Sequence, residues 1–183
     1  MYHIKPEKRT RASARLITEA VQQLLEEKPF EQITITDVQR VSSVSRSTFY
    51  RAFDRLEDVL ALLCDQGFAE AFQNVEGTIP EAVFRYWSKN SLVLETLVRI
   101  HRTDILYDSF RRSASDLEEM RAMADDQKQF DYFASIICSG MMGILTAWVE
   151  HGKTETPDEV LQQVYGAIGK AIELMFFPDH ETA

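Results

Sequence analysis

A chain of 183 residues with 45% apolar residues can bury the core of one large domain or two small ones, and its seven glycines and five prolines are too few for a β fold with many turns. Its net charge of −9, taken over the whole chain, argues against a nucleic-acid binder. The charge is unevenly distributed, however: residues 1–55 hold ten Lys and Arg against seven Asp and Glu, whereas residues 56–183 hold ten Lys and Arg against twenty-two Asp and Glu. A basic N-terminal part on an acidic remainder suits a protein that presents one end to phosphate, although chance asymmetry among solvated faces would produce the same split.

Three helices are predicted in the basic N-terminal part. Apolar residues recur with a helical period from about Arg9 to Lys28, and Pro29 ends this helix because proline disfavours helical geometry in the residue before it. A second helix is predicted over 34–42, since its first residue is a threonine followed three residues later by Asp37, the pattern of a capping box. Ser45 is the expected cap of a short third helix.

The apolar pattern stays helical to the end of the chain, and no strand pattern, repeat or low-complexity tract interrupts it. The helices expected there cover about 56–74, 80–89, 91–101, 103–123, 127–151 and 156–178. The chain is therefore predicted to be all-α.

One of these helices carries an uncharged run over residues 132–149, whose 18 residues reach the length of a transmembrane candidate. Serine and glycine dilute its hydropathy, and Asp131 and Glu150 bracket it. A helix that is apolar on all sides can also be buried in protein, so we interpret the run as a core or interface helix and expect no membrane partner. No signal peptide is expected either, because the charged first residues lead into no apolar run.

The second and third helices, joined by a short turn, have the spacing of a helix-turn-helix, a motif whose later helix lies in the major groove and reads bases with its first residues. Arg46 can make a bidentate contact to guanine, Ser47 is small enough for close approach, and Thr48 can touch a base or a phosphate. Tyr50 and Arg51 would follow on the exposed side, within reach of phosphate oxygens. An ordinary helical hairpin with a polar face would have the same pattern.

Three stretches resemble the N-terminal signature of TetR/AcrR-type transcriptional regulators: TITDV at 34–38, VSRSTFYRAF at 44–53 and EDVL at 57–60. The resemblance is specific over about residues 9–63. A looser likeness, around 137–152 and TPDE at 156–159, resembles short members of the family, among them regulators related to dihydroxyacetone-kinase control. The resemblance implies an all-helical homodimer with a three-helix head (8–68) that binds double-stranded operator DNA. It also implies a C-terminal domain (69–183) that binds a small-molecule effector and dimerises through its last two long helices.

The sequence departs from the pattern of this family near the motif. Ser43 stands where the family usually has glycine, and it can still take the left-handed turn geometry at a cost on the order of 1 kcal/mol. Ala52 and Leu56 stand where the family has histidine and lysine, which should reduce phosphate affinity, although Arg55 is placed to replace one basic group. The residues expected to bind DNA are Thr34, Thr36, Ser45, Arg46, Ser47, Thr48, Tyr50, Arg51 and Arg55.

The resemblance also implies an effector pocket among the helices over about 80–123, closed by the helix around 60–72. Large side chains at helical spacing are its candidate lining, although such residues fill ordinary cores more often than they contact ligands. The candidates are Phe84, Trp87, Leu97, His101, Tyr107 and Phe110.

A surface for self-association is predicted on the uncharged helix. Ser139, Gly143 and Ala147 lie four residues apart, so they form a ridge of small residues that lets another helix come close. The apolar side chains expected around this ridge are Ile144, Trp148, Val160, Val164 and Ile168. We therefore hypothesise a two-fold interface of four helices between identical subunits.

The leading function is that of a cytoplasmic transcriptional regulator under small-molecule control, most often a repressor in the family that the chain resembles. An alternative is a co-regulator that acts through a protein partner with weak or no operator binding, motivated by the missing basic groups. No enzyme is expected, because the sequence contains neither a glycine-rich phosphate loop nor a G-x-S-x-G elbow, and its histidines lack metal-ligand spacing. No cofactor or metal is expected, and Cys64 and Cys138 are interpreted as reduced buried thiols in preference to a redox switch.

Overall fold

The structure is a computed structural model that describes residues 2–4, 7–73 and 75–176. Within these residues the chain is all-α, as predicted, and its extended pairing is a single antiparallel bridge between Tyr2 and Phe53. The helices are α1 (Lys8–Glu27), α2 (Ile35–Ser42), α3 (Arg46–Ala52), α4 (Leu56–Gln73), α5 (Ile79–Lys89), α6 (Ser91–Arg99), α7 (Thr103–Ala114), α8 (Glu118–Arg121), α9 (Gln127–Glu150) and α10 (Pro157–Phe176), with a 3-10 turn at Phe30–Gln32. The helix ends expected at residues 74 and 178 lie outside the described residues.

Helices α1, α2 and α3 pack around a shared apolar centre. Ile17 and Val21 are fully buried on the stripe of α1 that the sequence predicted, and Val38 of α2 and Phe49 of α3 are buried with them. Helix α1 ends where expected, since Lys28 takes an extended backbone before the proline. The three helices thus form one packed unit at the N-terminal end of the fold.

The turn between α2 and α3 depends on a left-handed residue. Ser43 has φ 57° and ψ 16°, which confirms the geometry predicted for the position where glycine is usual, and its amide donates to the carbonyl of Gln39 at 2.9 Å. The buried Ser42 hydroxyl donates to the carbonyl of Val38 at 2.6 Å and accepts from the amide of Val44 at 3.1 Å. These bonds fix the direction in which α3 leaves the turn.

Ser43→Gly is expected to stabilise the protein by a few tenths to about 1 kcal/mol. The Cβ of serine crowds the backbone in the left-handed region, and glycine removes that strain, while the added freedom of glycine in the unfolded chain offsets part of the gain. Denaturant unfolding of both proteins measures the difference. Ser43→Ala is the matched control, because it keeps the Cβ and should not stabilise. A loss of about 0.5 kcal/mol or more in Ser43→Gly would show that the serine hydroxyl supports the turn.

Helix α4 runs from the three N-terminal helices into the remainder of the fold and packs against α1, α5 and α7. Near its end Phe68 is fully buried, and its ring lies edge-on to Trp87 and to Phe110 with centroids 5.2 Å apart in each pair. Gly67 lets α5 approach closely, because a Cβ there would lie 2.8 Å from the ring of Tyr86. A continuous apolar core therefore joins α4 to the helices on both sides.

The single helix expected over 103–123 is wrong, because a break at 115–117 separates α7 from α8. Ser115 donates its hydroxyl to the carbonyl of Arg111 at 2.7 Å, which competes with the helical pattern. Arg121 Nε then donates to the carbonyl of Ser115 at 2.6 Å. The Arg121 side chain thus occupies the Ser115 carbonyl, which in a continuing helix would accept a hydrogen bond from a backbone amide of the next turn.

Helix α9 carries the uncharged run, and Gly152 with φ 81° closes it as predicted. By length and composition α9 could cross a membrane, a test that the core helix of a soluble protein also passes. Its inner side, with Cys138 and Leu145 fully buried, packs on α6 and α7. Helix α10 packs on α5 and leaves most of its described side chains exposed.

Both cysteines are buried free thiols. Burial raises the pKa of the Cys138 thiol to about 11 and raises that of Cys64 well above its usual range. Neither is therefore a reactive thiolate at neutral pH, in agreement with the interpretation of reduced structural thiols.

Candidate nucleic-acid interface

Helix α2 begins with the capping box predicted from the sequence. The Thr34 hydroxyl accepts from the Asp37 amide at 3.2 Å, and the Asp37 carboxylate accepts from the Thr34 amide at 2.9 Å. The same carboxylate accepts from Lys28 Nζ at 2.8 Å, which ties the end of α1 to the start of α2. These bonds, from Lys28 first and then Thr34, hold the pKa of Asp37 well below its usual range. Thr34 is thus engaged in the cap, while Thr36 is exposed on the first turn of α2.

The capping box predicts a dependence of stability on acid pH. Because the folded pKa of Asp37 is lowered, its contribution to the free energy of unfolding is complete above about pH 4, the usual pKa of an unfolded Asp, and is lost as the pH falls from there toward the folded value. Asp37→Asn should lower stability at neutral pH and flatten the acid limb of the stability curve, measured by denaturant unfolding across pH. Thr36→Ala, beside the box but outside it, is the control. An acid limb unaltered by Asp37→Asn would contradict a stabilising role for this carboxylate.

Helix α3 has a buried and an exposed side. Phe49 and Ala52 are 1% exposed and hold the helix on the core. Ser45 caps the helix by accepting from the Thr48 amide at 3.3 Å. The side chains that face solvent are Arg46, Ser47, Tyr50 and Arg51. The exposed side of α3 therefore carries four of the nine side chains that the sequence predicted to contact DNA.

Arg46 and Tyr50 contact each other on this surface. Arg46 Nη2 donates to the Tyr50 hydroxyl at 3.2 Å, and the guanidinium carbon lies 5.4 Å from the centre of the ring. Their separation of four residues places them one helical turn apart, which allows the pair to form. The contact restricts the conformers of Arg46 while the residue stays exposed, so a base edge could be bound with a smaller loss of side-chain freedom.

A cleft of about 100 Å³ lies between the start of α1 and α3. Its lining residues are Glu7, Arg9, Thr10, Ser13, Thr48, Arg51 and Ala52. The helix-turn-helix pattern did not indicate the α1 residues, although the basic residues at the start of that helix were a signal for them. Guanidinium and hydroxyl donors on both sides of the cleft suit a phosphate oxygen.

Arg55 occupies a separate position, in the turn between α3 and α4. Its amide donates to the Asp58 carboxylate at 3.0 Å, a bond that fixes this turn to the first residues of α4. The residue is exposed and lines an open groove with Leu56 and Ile100. Its guanidinium is thus available to solvent next to the end of α3.

The six residues predicted for an effector pocket differ in their surroundings. Those fully buried in the core are Phe84, Leu97 and Phe110. Trp87 is 1% exposed, and its indole nitrogen is buried without a hydrogen-bond partner among the described residues. Trp87 lines a groove of about 430 Å³, whereas Tyr107 lines a different groove of about 460 Å³ beside α9. His101 is exposed between α6 and α7 with φ 56°.

The ridge predicted for self-association lies on the outer side of α9. Ser139 and Gly143 are exposed, and a Cβ added at Gly143 would meet nothing within 4 Å apart from the nearby backbone of α9. Trp148 instead faces inward, where its ring is 6% exposed and lies edge-on to Phe84 with centroids 5.7 Å apart. The remaining predicted residues, which are half-buried or exposed, are Ile144, Ala147, Val160, Val164 and Ile168.

Further apolar side chains are exposed on α9 and α10. Tyr132 and Ile136 of α9 are 65% and 71% exposed, and Tyr165 and Ile168 of α10 are 47% and 49% exposed. Their spacing of three or four residues was the signal in the sequence, and of these four only Ile168 was assigned to the interface. Clustered exposed apolar residues of this kind mark surfaces that associate with other molecules.

Comparison with known proteins finds regulators of transcription. A profile of the family described as “Transcriptional regulator C-terminal region” matches residues 78–170. The HTH-type dhaKLM operon transcriptional activator DhaS of Lactococcus lactis subsp. lactis is 27% identical over 63 residues, which are 34% of this chain. That match spans about a third (34%) of the relative's own length.

Two solved structures resemble the chain over most of its length. The crystal structure of Lin0861 from Listeria innocua has a TM-score of 0.73 at 18% identity, and the match covers 92% of this chain and 96% of that one. The dihydroxyacetone kinase operon activator DhaS has a TM-score of 0.59 at 15% identity, with 88% and 97% covered. At these identities the likeness concerns the fold.

Proposed function

This chain belongs to the TetR-type family of transcriptional regulators, and from that premise we propose that it is a cytoplasmic regulator that binds operator DNA in a sequence-specific manner. The observation that carries the proposal is the exposed side of α3, where Arg46, Ser47 and Tyr50 face solvent while Phe49 anchors the helix from below. In this proposal residues 8–68 are the DNA-binding head, and residues 69–183 are the effector-binding and dimerisation domain.

Helix α3 enters the major groove with its first residues toward the bases. The Arg46 guanidinium donates to the two acceptors of a guanine, and the small Ser47 allows the helix to approach. Thr48 and Arg51, together with Arg9 across the cleft, bind phosphate oxygens and fix the register without reading sequence. Arg55 adds a further phosphate contact from the turn after α3.

The regulator acts as a homodimer formed through the outer sides of α9 and α10. The exposed ridge at Ser139 and Gly143 supports this proposal because it lets another helix come close, and the exposed Tyr132 and Ile136 of α9 and Tyr165 of α10 offer apolar area. Two heads related by a two-fold axis would bind half-sites roughly 34–36 Å apart, or a multiple of that distance.

A small-molecule effector controls operator binding from the region of α5, α6 and α7. Phe68 of α4 packs on both Trp87 of α5 and Phe110 of α7, so a ligand that separated these helices would displace α4. Because the head packs on α4, that displacement would change the distance between the two heads of a dimer. Thermal unfolding in the presence of candidate metabolites tests this part, since a ligand that binds the folded protein raises its midpoint.

A mobility shift on the DNA upstream of its own gene tests the proposed function. Specific binding should survive competition by random duplex and should weaken with rising salt, because phosphate contacts release counterions. If the protein binds none of this DNA even in low salt, the result would favour the alternative of a co-regulator that works through a protein partner. Ala52 and Leu56, which supply no basic group at the end of α3, are the observation behind that alternative.

The sign of regulation has two candidates. Repression is the commoner behaviour in the family, whereas the Lactococcus relative is named a transcriptional activator. A reporter under the bound promoter distinguishes them, since expression of the regulator should lower transcription in the first case and raise it in the second.

A further inference from the structure

Residues 2–4, called the strap below, hold the end of α3. Tyr2 pairs with Phe53 in an antiparallel bridge, and the His3 amide donates to the carbonyl of Ala52 at 2.7 Å. The His3 ring also lies with Nε2 3.1 Å from a carboxylate oxygen of Asp54. The last carbonyls of a helix lack amide donors within the helix, so the strap supplies a donor that α3 itself cannot.

The Tyr2 side chain connects the strap to α4 and α7. Its hydroxyl donates to one carboxylate oxygen of Asp65, and Arg112 Nη2 donates to the other at 2.8 Å. Arg112 Nη2 also donates to the hydroxyl of Ser109 at 3.1 Å, and that buried hydroxyl donates to the carbonyl of Ala61 at 3.4 Å. A chain of hydrogen bonds therefore runs from α7 through α4 to the strap.

The middle of this series of hydrogen bonds is shielded from water. The Asp65 side chain is 18% exposed and Tyr2 is half-buried, and hydrogen bonds to a carboxylate are stronger than those between neutral groups. Burial, and then the bond to Asp65, raises the pKa of the Tyr2 phenol above its usual range. The hydroxyl therefore remains a donor at physiological pH.

We propose that the strap makes the placement of α3 depend on α7, with Tyr2 as the positioning residue. The inference rests on the proposed DNA-reading role of α3 and adds a route for its control. Helix α3 has only seven residues, so its own hydrogen bonds fix it weakly, and the contacts at its end add to the hold that the buried Phe49 and Ala52 provide. A shift of α7 would carry Arg112 with it and weaken the hold on the Asp65 carboxylate to which Tyr2 is bonded. Because α7 lies in the region proposed for the effector, this route joins that region directly to α3.

Tyr2→Phe tests the strap, since it removes the hydroxyl and keeps the ring that packs on the core. In untagged full-length protein, amide hydrogen exchange of peptides covering 46–52 should become faster. Operator affinity should fall about fivefold or more, because α3 is less preorganised for the groove. Tyr86→Phe is the matched control, because this half-buried tyrosine of α5 lies outside the hydrogen-bond chain and its substitution should change neither quantity.

Arg112→Met tests the dependence on α7 through a double-mutant cycle. If Arg112 acts on α3 through Tyr2, this substitution should also speed amide exchange over 46–52. The operator affinity of the double variant should then be no lower than that of the single variant with the lower affinity. A purely structural role of Tyr2 would instead speed exchange throughout α1 and α2 and give additive losses of affinity.

The outcomes separate this inference from the proposed function. Unchanged exchange over 46–52 with unchanged operator affinity in Tyr2→Phe would overturn the inference and leave the proposed function intact. Additive losses in the double variant would overturn the dependence on α7. Failure of the wild-type protein to bind operator would overturn the proposed function, and the inference with it.

Discussion

Arg46→Ala is expected to weaken operator binding by about 1–3 kcal/mol, the largest loss expected from any side chain of α3. The substitution removes the donor pair that the exposed guanidinium offers to guanine, so preference at one base position in each half-site should relax. Fluorescence anisotropy titrations with operator and with random duplex, at one fixed salt concentration, measure the ratio of the two affinities.

Arg51→Ala is the matched control for that measurement. Arg51 lines the cleft between α1 and α3, where it is proposed to bind a phosphate. Its loss should therefore weaken operator and random DNA similarly and reduce the slope of affinity against salt by about one. An operator-to-random ratio that Arg46→Ala leaves unchanged would show that the first residues of α3 do not lie in the major groove.

Local patterns in the sequence correctly predicted where α2 and α3 begin. Thr34 and Ser45 cap α2 and α3 in the structure because their hydroxyls bond amides only three residues away, a relation that the sequence alone contains. From the sequence, α5 is predicted to start at residue 80, although Thr78, two residues earlier, caps the helix in the same kind of box with Glu81. The break between α7 and α8 had no comparable signal, since it depends on a side chain that reaches back to a carbonyl.

The sequence predicted which residues of α3 form the candidate interface, but it did not predict the contacts between α3 and other elements. The helical period separates Phe49 from Arg46 and Tyr50, so the sequence indicates which side of α3 faces solvent. The cleft that brings Arg9 to α3 depends on tertiary packing instead. The bond of Tyr2 to α4 spans 63 residues of sequence, and no spacing pattern encodes such a contact. For the same reason the aromatic residues of α5 and α7 could not be divided into core and ligand contacts from their period.

Gly143→Leu is expected to convert the proposed dimer into monomers or insoluble protein. A Cβ at Gly143 would meet nothing within 4 Å apart from the nearby backbone of α9, so the protomer has open space there and we expect the effect of a leucine to arise where another molecule approaches. In the proposed interface the leucine would overpack a close helix contact at a cost of about 1–3 kcal/mol, and the two-fold axis repeats that cost in the other subunit. Sedimentation velocity measures the mass, and circular dichroism checks that the helical content is kept.

Ala69→Leu is the control for this prediction, because it enlarges an exposed side chain of α4 and should leave the protein dimeric. Loss of the dimer should also weaken operator binding strongly, since two linked heads engage the second half-site as an intramolecular event and a single head cannot. A soluble Gly143→Leu dimer with wild-type operator affinity would remove this stretch of α9 from the contact. Tyr165 and Ile168 of α10, together with Tyr132 and Ile136 nearer the start of α9, would then remain as the exposed apolar side chains for association.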